Sequence, residues 1–375
     1  PVRGDAQWTR LKYGNLQTDL AARYQFGAVS SQTVGGFALS RRTSVNKVKS
    51  GTLPGIDLSR PDLRAEPVWD ANLYANNVGN FTNWQLYVSE RLGFFNDRLQ
   101  ATGGILHYDT KTYARNAISA ANAPSILDDA KEVWMASALV KVLPNASVYY
   151  SHSTNSSPVI ANNRPLWRDG VQDEVGFKTE FFNQRLSFNG AYFEISQSNV
   201  TTPNPERQTN PAAPEQIVQD LSNHGYELEL IGGLTNNLSA IATFSQLKMR
   251  DALGRRVRAV ADRNAALLLN YRFTEGAPKG LALSFGVSYS GSRAGDAPPA
   301  YTIANQVAQV SFYLKPYYVT NFSASYTWQK YVFRLYVDNV LDDNGYIQQA
   351  GGRVSGTGIT TAPGINVKFA TTLNF

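Results

Sequence analysis

Cysteine is absent from this 375-residue sequence, which excludes disulfide frameworks and cysteine metal sites. No run of about eighteen apolar residues occurs, so helical membrane spans are excluded as well. His107, His152 and His224 are far apart and lie in no motif with ligand spacing, so we expect no metal site. The sequence also lacks a Gly-x-Ser-x-Gly motif, a phosphate loop and a Rossmann fingerprint, and nothing in it indicates an enzyme or a bound cofactor.

Charged residues are few, at 17% of the chain, and the net charge is +6. An isoelectric point near 9.3 could indicate a nucleic-acid-binding protein. However, the Lys and Arg residues are scattered, with short clusters at Arg41-Arg42 and Arg255-Arg256, whereas a nucleic-acid interface needs clustering on one face. We therefore expect no nucleic-acid partner.

Aromatic residues are abundant, with 20 Tyr, 18 Phe and 6 Trp, although the mean hydropathy is only −0.30. In the last stretch, residues 365–375, apolar side chains alternate with polar ones, as the two faces of a strand require. About ten residues of tilted strand are enough to cross a bilayer. Because lipid cannot satisfy backbone polar groups, this pattern predicts a closed β-barrel.

The same alternation recurs along the chain and predicts about fifteen strands. Tight turns and long polar connections alternate between these strands. Outer-membrane barrels have this layout, with short periplasmic turns and long extracellular loops. The long loops are predicted over residues 41–83, 109–131, 153–172, 201–223, 250–263 and 291–318.

Charges at alternate strand positions predict a hydrated interior, since a soluble barrel could not bury so many of them. The predicted inward-facing residues are Arg23, Lys178, Glu180, Glu227, Glu229, Arg272, Arg334 and Lys368. Aromatic residues near strand ends fit the girdles at the two membrane interfaces, the alternative being the core of a soluble β-protein. The girdle candidates are Trp84, Trp134, Tyr150, Tyr271, Tyr289, Trp328 and Tyr331.

Strand direction leads to a further expectation. The first strand ends at a tight turn and the last strand follows a long loop, so both run the same way. Neighbours in an antiparallel barrel run in opposite directions, and closure therefore needs an odd number of additional strands. We expect those strands to precede Pro1 in the full-length protein.

Several segments in the second half of the chain carry recognisable motifs. Residues 331–346 contain a strand followed by a variant of N-L-F-D-x-x-Y, and residues 173–200 contain an E-x-G-x-K hairpin. Residues 225–230 read G-x-E-x-E, and residues 270–273 read N-Y-R-F. In this order and spacing they resemble the TonB-dependent outer-membrane receptors. In that family a terminal Phe, here Phe375, is the signal read by the outer-membrane insertase.

The resemblance implies an all-β, antiparallel transmembrane β-barrel of about 22 strands with an N-terminal plug. Residues 1–375 would be the C-terminal part of that barrel, with about seven strands, the plug and the segment that engages the TonB complex before Pro1. The protein would lie in the lipid bilayer of the bacterial outer membrane and import a ferric siderophore or a similar scarce ligand. Glu227 and Glu229 would then hydrogen-bond to the plug rather than perform acid–base chemistry.

Aromatic and arginine residues in the predicted loops are the candidate ligand contacts. Guanidinium groups and flat aromatic faces suit anionic ferric chelates through charge and cation–π contact, while ordinary loop packing is the alternative for each residue. The candidates are Trp69, Tyr74, Tyr113, Arg164, Trp167, Arg255, Arg256, Tyr301 and Tyr313.

Two other interpretations fit parts of the pattern. A passive porin-type channel shares the barrel but needs no plug, so the sequence upstream of Pro1 distinguishes it from a receptor. A secreted β-sheet carbohydrate-binding module or hydrolase would partition into buffer rather than detergent. The sequence does not identify the ligand, and copper chelates, cobalamin and glycans stay open beside ferric siderophores.

Overall fold

A computed structural model describes most of the chain. The described residues are 2–53, 66–73, 75–119, 122–162, 164–204, 206, 210, 212–214, 216–295, 302–303, 306–307, 309–310, 312–343, 347–349 and 360–374. Tyr74, Tyr301, Tyr346 and Phe375 lie outside these ranges, and so do the predictions made for them. No α-helix occurs within the described ranges. They contain no helix long and apolar enough to cross a membrane.

The described residues form twenty-two strands. Polar and apolar residues alternate along many of them, and frequent β-branched and aromatic side chains favour strand over helix. In chain order the strands are β1 (Val2–Phe26), β2 (Val29–Leu53), β3 (Val68–Trp69), β4 (Ala75–Phe94), β5 (Leu99–Asn116), β6 (Ser125–Leu143), β7 (Ala146–Ala161), β8 (Arg164–Phe181), β9 (Leu186–Pro203), β10 (Gln216–Gly233), β11 (Leu238–Asp251), β12 (Arg263–Arg272), β13 (Leu281–Ser290), β14 (Arg293–Ala294), β15 (Thr302–Ile303), β16 (Gln306–Val307), β17 (Tyr313–Leu314), β18 (Tyr317–Trp328), β19 (Tyr331–Asp338), β20 (Ile347–Gln349), β21 (Thr360–Thr361) and β22 (Asn366–Leu373).

One sheet contains sixteen of these strands. Fifteen lie in a single hydrogen-bonded order, β1-β2-β4-β5-β6-β7-β8-β9-β10-β11-β12-β13-β18-β19-β22, and β3 pairs with β2 beside that order. Each strand pairing whose register can be read is antiparallel. Within this order each strand lies beside the next member along the chain, as in successive hairpins, while β14 to β17, β20 and β21 form separate two-stranded sheets. The all-β antiparallel fold with about fifteen strands is confirmed.

Most strands extend further than predicted at the edge that carries the long connections. β2 continues to Leu53, so the prediction of a loop over residues 41–53 is wrong. β7 ends at Ala161 and β8 begins at Arg164, so the predicted loop over residues 153–172 is mostly strand. The same correction applies to the outer ends of β5, β6, β9 and β10.

Backbone hydrogen bonds between neighbouring strands stabilise these extensions, and no alternation of apolar and polar side chains is needed for them. The register of β1 with β2 is continuous over all 25 residues of each strand. Beyond a bilayer both faces of such a hairpin meet water, so the ladder of hydrogen bonds persists while the apolar periodicity fades. Alternation therefore marks the part of each strand whose two faces meet different surroundings, and polar composition alone does not indicate a loop.

The chain divides into two compact units. Unit 1 comprises residues 1–92, 102–136 and 154–169. Its buried apolar cluster consists of Tyr108, Leu127 and Trp167, with Leu106 and Val133 packed against it. Arg23, one of the predicted inward-facing residues, lies in this unit and is exposed on β1 opposite Gln32 of β2.

Unit 2 comprises residues 93–101, 137–153 and 170–375, and its sheet from β8 to β22 has two chemically different faces. The register places Lys178 of β8 beside Asn189 of β9, and Asn189 beside Glu229 of β10, so these side chains share a polar face. The neighbouring positions carry apolar residues such as Phe177 and Leu228, which share the opposite face. We call these two surfaces the polar face and the apolar face of unit 2.

Seven of the eight predicted inward-facing residues lie in unit 2, and the registers place all seven on its polar face. They are Lys178, Glu180, Glu227, Glu229, Arg272, Arg334 and Lys368. That this face lines a lumen stays a prediction.

Two adjacent leucines of β12 test which face meets lipid. Leu267 lies on the apolar face and Leu268 on the polar face, both near the middle of a ten-residue strand. Where the apolar face contacts the bilayer, we expect Leu267→Arg to lower the free energy of unfolding by about 2–4 kcal/mol. Leu268→Arg is the matched control and should lower it by less than about 1 kcal/mol, because its guanidinium would lie in water.

Both variants of the full-length protein can be compared by urea unfolding in lipid vesicles and by the heat-dependent mobility of the folded barrel in electrophoresis. Equal destabilisation by the two substitutions, or a greater effect of Leu268→Arg, would contradict this assignment of the faces.

Candidate functional site

The loop that follows β11 folds back against the segment that follows β13, within unit 2. Isolated backbone bridges join Arg258 to Ala294 and Ala261 to Arg293. β14 also pairs with β17, which brings Tyr313 opposite Ala294. Ala294 is completely buried between these segments. Two parts of the chain that are remote in sequence are thus held in one ordered group.

Positive charge dominates this group. Residues 248–263 contain six Lys or Arg and two Asp, which leaves a net charge of +4. Both acids, Asp251 and Asp262, are paired with arginines. We call the arginines of the group the arginine cluster: Arg250, Arg255, Arg256, Arg258, Arg263 and Arg293.

The pair of Arg255 and Asp251 holds the loop in shape. The Arg255 side chain donates from Nε and lies with Nη2 beside the same Asp251 carboxylate oxygen, both at 2.8 Å. The other carboxylate oxygen accepts the backbone N–H groups of Leu253 and Arg255 at 3.0 and 2.9 Å. The two side chains are only 3% and 7% exposed, and Gly254 between them has φ +76°. Arg255 is therefore a positioning residue, buried by its own loop.

Arg256 combines a charge with an aromatic surface. Its Cζ lies 5.2 Å from the ring centroid of Tyr313, which is 52% exposed. Its Nη2 lies 3.2 Å from Asp262 Oδ2 and donates to the carbonyl oxygen of Ser292 at 2.6 Å. Asp262 also lies 3.6 Å from Arg250 Nη1, so one carboxylate is shared by two guanidinium groups. This arrangement can accept an anion beside an exposed aromatic ring.

Arg293 belongs to β14, in the segment that follows β13, and packs against Tyr317. Its Cζ lies 4.7 Å from the ring centroid of Tyr317, and its Nη2 donates to the carbonyl oxygen of Lys315 at 3.2 Å. The residue is only 4% exposed. Arg293, like Arg255, thus fixes the position of the backbone around the more accessible Arg256.

Trp167 lies in unit 1 and is packed rather than exposed. It is 9% exposed, and its ring meets Tyr108 edge-on with centroids 5.4 Å apart. Its Nε1–H donates to Asp129 Oδ2 at 2.8 Å, which lowers the pKa of Asp129. Asp129 is the fifth residue of the nineteen-residue β6 and lies beyond the part that crosses a membrane. Packing accounts for the position of Trp167, and its predicted ligand contact stays a prediction.

The remaining described candidates also lie in unit 1. Trp69 is 41% exposed in β3, with its ring against Gly51 of β2. Tyr113 is half-buried in β5, and Arg164 is exposed at the first residue of β8. Of the nine predicted ligand contacts, the structure brings together Arg255, Arg256 and Tyr313.

Sequence reasoning missed several members of this site. Arg250, Arg258 and Arg263 lie in a stretch whose basic composition was the available signal. Arg293 carries no such signal, because its place in the cluster depends on the pairing of β14 with β17 and with the preceding loop. The shared carboxylate of Asp262 is likewise a product of the tertiary fold.

The polar face carries a second group of hydrogen-bonding side chains. Asn189 Nδ2 donates to Glu229 Oε1 at 3.3 Å, and Glu227 lies on the same face two residues away. Thr243 and Ser245 of β11 lie opposite these two acids in the register. Such a surface can hydrogen-bond to another polypeptide segment. No group of three or more His, Cys, Asp or Glu side chains that could hold a metal ion occurs in the described part of the chain.

Comparison with known proteins gives a family match over most of the chain. Residues 2–340 match the family described as TonB dependent receptor-like, beta-barrel. The chain is 24% identical over 314 residues to the ferrioxamine B receptor of Salmonella typhimurium, covering 78% of this chain and 42% of that protein. It is 27% identical over 237 residues to an uncharacterized TonB-dependent receptor of Haemophilus influenzae, covering 58% of this chain and 66% of that one.

Solved structures with the same fold are also similar. The ferripyoverdine receptor of the Pseudomonas aeruginosa outer membrane superposes with a TM-score of 0.78 at 20% identity, over 98% of this chain and 49% of that one. The ferric-catecholate import receptor Fiu of E. coli superposes with a TM-score of 0.76 at 20% identity, over 98% of this chain and 55% of that one. The chain thus spans about half the length of these structures.

The buried pair in the arginine cluster leads to a prediction about loop opening. Asp251→Ala leaves Arg255 buried without its carboxylate, a change that typically costs about 3–5 kcal/mol. Because about 1.4 kcal/mol corresponds to a tenfold change in an equilibrium constant, we expect trypsin to cleave the loop more than about 100-fold faster. Limited proteolysis of the purified full-length protein, with cleavage sites identified by mass spectrometry, measures this.

Asp262→Ala is the control, since it removes the same charge from a more exposed pair. Exposed pairs contribute about 0–1 kcal/mol, so cleavage should rise by less than about tenfold. Equal cleavage rates in the two variants would show that the Asp251 pair does not hold the loop.

Proposed function

The chain belongs to the TonB dependent receptor-like β-barrel family, and we propose that residues 1–375 form the C-terminal part of a receptor barrel. Membership of this family places the chain in the outer membrane and favours a receptor over a passive porin-type channel. We further propose that the full-length protein imports a ferric siderophore or a similar scarce ligand with energy supplied through the TonB complex. The family match over residues 2–340 is the observation that carries this proposal.

The named relatives favour this class of ligand. One curated relative is a ferrioxamine B receptor, and a structural relative is a ferripyoverdine receptor bound to its ligand. The identities, 24% and 20%, support a shared class of cargo but not a shared siderophore. Iron would be part of the cargo rather than a resident cofactor.

The arginine cluster is the proposed capture site. Residues 248–263, which contain five of its six arginines, carry a net charge of +4 that would attract an anionic ferric chelate. Arg256 and the exposed ring of Tyr313 would contact the chelate through hydrogen bonds and cation–π interaction. Arg255 and Arg293 would keep these groups in position, since both are buried in contacts with their own segments.

The polar face of unit 2 is the proposed seat of a plug. Lys178, Asn189 and Glu229 form a row of charged and amide groups across three strands. Glu227 and Glu229 would accept hydrogen bonds from the backbone or the side chains of the plug. Because both acids lie on one face of a single strand, this role suits them better than acid–base catalysis. Displacement of the plug by the TonB complex would then open a polar route along this face.

Membrane insertion completes the proposal. The apolar face would contact the lipid bilayer, and the terminal Phe375 would serve as the signal read by the outer-membrane insertase.

The proposed function is tested in a strain that lacks the chromosomal gene and expresses the full-length receptor. We expect uptake of radiolabelled ferric siderophores, tested as a panel that begins with ferrioxamine B, at ligand concentrations too low for passive diffusion. Uptake should disappear when TonB is inactive while surface binding remains. Uptake that is independent of TonB and rises linearly with concentration would indicate a passive channel instead.

A second prediction concerns the capture site itself. Arg256→Ala should weaken siderophore binding by roughly 5- to 30-fold, because about 1–2 kcal/mol of charge and cation–π interaction would be lost. Tyr313→Ala should have a similar effect, whereas Arg256→Lys should retain part of the affinity because it keeps the charge. Equilibrium binding to cells expressing each variant measures the dissociation constant.

Lys330→Ala serves as the control, because it removes one positive charge at the tight turn between β18 and β19. Affinities that are unchanged in both Arg256→Ala and Tyr313→Ala would remove the arginine cluster from the capture site.

A further inference from the structure

Unit 1 also has a face on which large apolar side chains are exposed. The register of β1 with β2 places Leu16 opposite Leu39 and Thr18 opposite Phe37, so these side chains share one face of the hairpin. Leu20 follows on the same face and is 77% exposed. We call this surface the apolar face of unit 1. In the proposed outer-membrane barrel it would contact the lipid bilayer.

Glu90 of β4 lies on this apolar face. Three residues before it, the hydroxyl of Tyr87 accepts a hydrogen bond from Gln17 at 3.2 Å, and Gln17 is at an odd-numbered position of β1 and therefore on the opposite face. Side chains three residues apart in a strand point to different faces, so Glu90 points away from Tyr87. Its carboxylate accepts hydrogen bonds from the hydroxyl of Ser31, at 2.6 Å, and from that of Thr33.

The Glu90 carboxylate has no cationic partner among the residues that the structure describes. Arg91 is the next residue of β4 and Arg23 is at an odd-numbered position of β1, so both guanidinium groups belong to the opposite face. Leu86 and Val88, which precede Glu90 on the apolar face, are 57% and 46% exposed. An ionised group among lipid-facing apolar side chains is costly unless it is paired, and it therefore indicates a binding role.

The carboxylate is close to the end of the sheet that carries the tight turns. β1 ends at Phe26 and β2 begins at Val29, so Ser31 is the third residue of β2 after a two-residue turn. Tight turns of outer-membrane barrels are periplasmic, which places Glu90 near the boundary between the inner leaflet and water. Tyr24, which lies opposite Ser31 in the register and is 56% exposed, is typical of this boundary.

Space is open beside the carboxylate on the side of β5. A Cβ atom at Gly104 would lie 3.3 Å from Ser89 Cβ, so Gly104 and Ser89 share the opposite face. Gly103, the neighbour of Gly104, then lies beside Glu90 on the apolar face. A Cβ atom at Gly103 would meet a single atom within 4 Å, the carbonyl oxygen of Met135 at 4.0 Å. A small cationic group therefore has room to approach Glu90.

We propose that Glu90 binds the primary ammonium of a phospholipid headgroup in the inner leaflet. A carboxylate has about four acceptor positions, and Ser31 and Thr33 use two of them, so N–H donors can use the others. The hydroxyl of Tyr24 would donate to the phosphate, and the acyl chains would lie against apolar residues such as Val88. A soluble amine would use only the first of these three contacts. The inference rests on the proposed function, in which this face meets lipid.

The experiment uses the full-length receptor, delipidated in detergent, and phosphatidylethanolamine as the probe. Native mass spectrometry and a binding titration measure the stoichiometry and the affinity. Phosphatidylcholine with the same acyl chains has a quaternary ammonium without N–H donors, and we expect it to bind about tenfold more weakly. Glu90→Gln should remove this preference. Glu275→Gln, which removes one negative charge from the connection between β12 and β13, is the matched control and should retain it.

A second variant obstructs the site without changing its charge. Gly103→Val adds a branched side chain beside Glu90 and should weaken phosphatidylethanolamine binding by about tenfold, while valine favours the strand. Phosphoethanolamine at millimolar concentration should not displace the intact lipid. Displacement by phosphoethanolamine, equal binding of the two lipids, or a preference that Glu90→Gln or Gly103→Val leaves intact would overturn the proposal. So would equal losses in Glu90→Gln and Glu275→Gln.

Failure of this site can be distinguished from failure of the proposed function. Leu20→Arg places a charge on the apolar face and should lower the urea midpoint of unfolding in lipid vesicles. Ala21→Arg, on the opposite face, should leave that midpoint nearly unchanged. Equal midpoints in these two variants would contradict lipid contact by this face, and with it the proposed barrel in the membrane. Different midpoints together with equal binding of the two lipids would refute the ammonium site alone.

Discussion

The structure depends on the pairing of backbone hydrogen-bonding groups between antiparallel neighbours. In lipid an unpaired N–H or C=O group costs several kcal/mol, so each membrane-crossing strand must be bonded along its length. Pairing fixes the register, and the register fixes which side chains share a face. A shift of one residue between β10 and β11 would move Glu227 and Glu229 to the apolar face and Leu228 to the polar one.

The register of the paired strands assigns polar and apolar side chains to opposite faces of the sheet, so that each face can have its own function. Side chains on the polar face, such as Lys178 and Glu229, can serve a plug or a passing ligand. Side chains on the opposite face would contact the lipid bilayer. Outside the bilayer the backbone need not pair with another strand, because water can form hydrogen bonds with it. The chain between β11 and β12 accordingly forms a compact loop, held by Asp251 and Arg255, instead of a paired strand. The proposed ligand contacts therefore lie where the backbone is least constrained.

Structure could be predicted from the sequence where the two faces of a strand differ in chemistry, and could not be predicted where both faces are polar. The loop predicted to begin at residue 291 directly follows β13, which ends at Ser290, because the side chains of this strand alternate strictly between apolar and small polar residues. Residues 153–172 were predicted as a loop and are mostly β7 and β8, because polar residues pair equally well in water. In the candidate site the basic loop was visible from composition. The burial of Arg255 depends on the fold of its own loop around Asp251, and the approach of Tyr313 to Arg256 depends on a contact across about sixty residues, so neither could be predicted.

Asp251 and Asp262 are paired with residues of the arginine cluster. Such pairs affect how a receptor could both bind and release its cargo. Arg256 Nη2 lies 3.2 Å from Asp262 Oδ2, so an anion that bound at the proposed capture site would exchange one acceptor for another rather than fill an empty position. The net gain from each such contact is smaller than that of an isolated guanidinium, as for hydrogen bonds exchanged with water. When the anion leaves, the original ion pair forms again and no buried charge is left uncompensated. In the proposed capture site, Arg255 and Arg293 would keep the geometry through this exchange, because both are buried in contacts with their own segments.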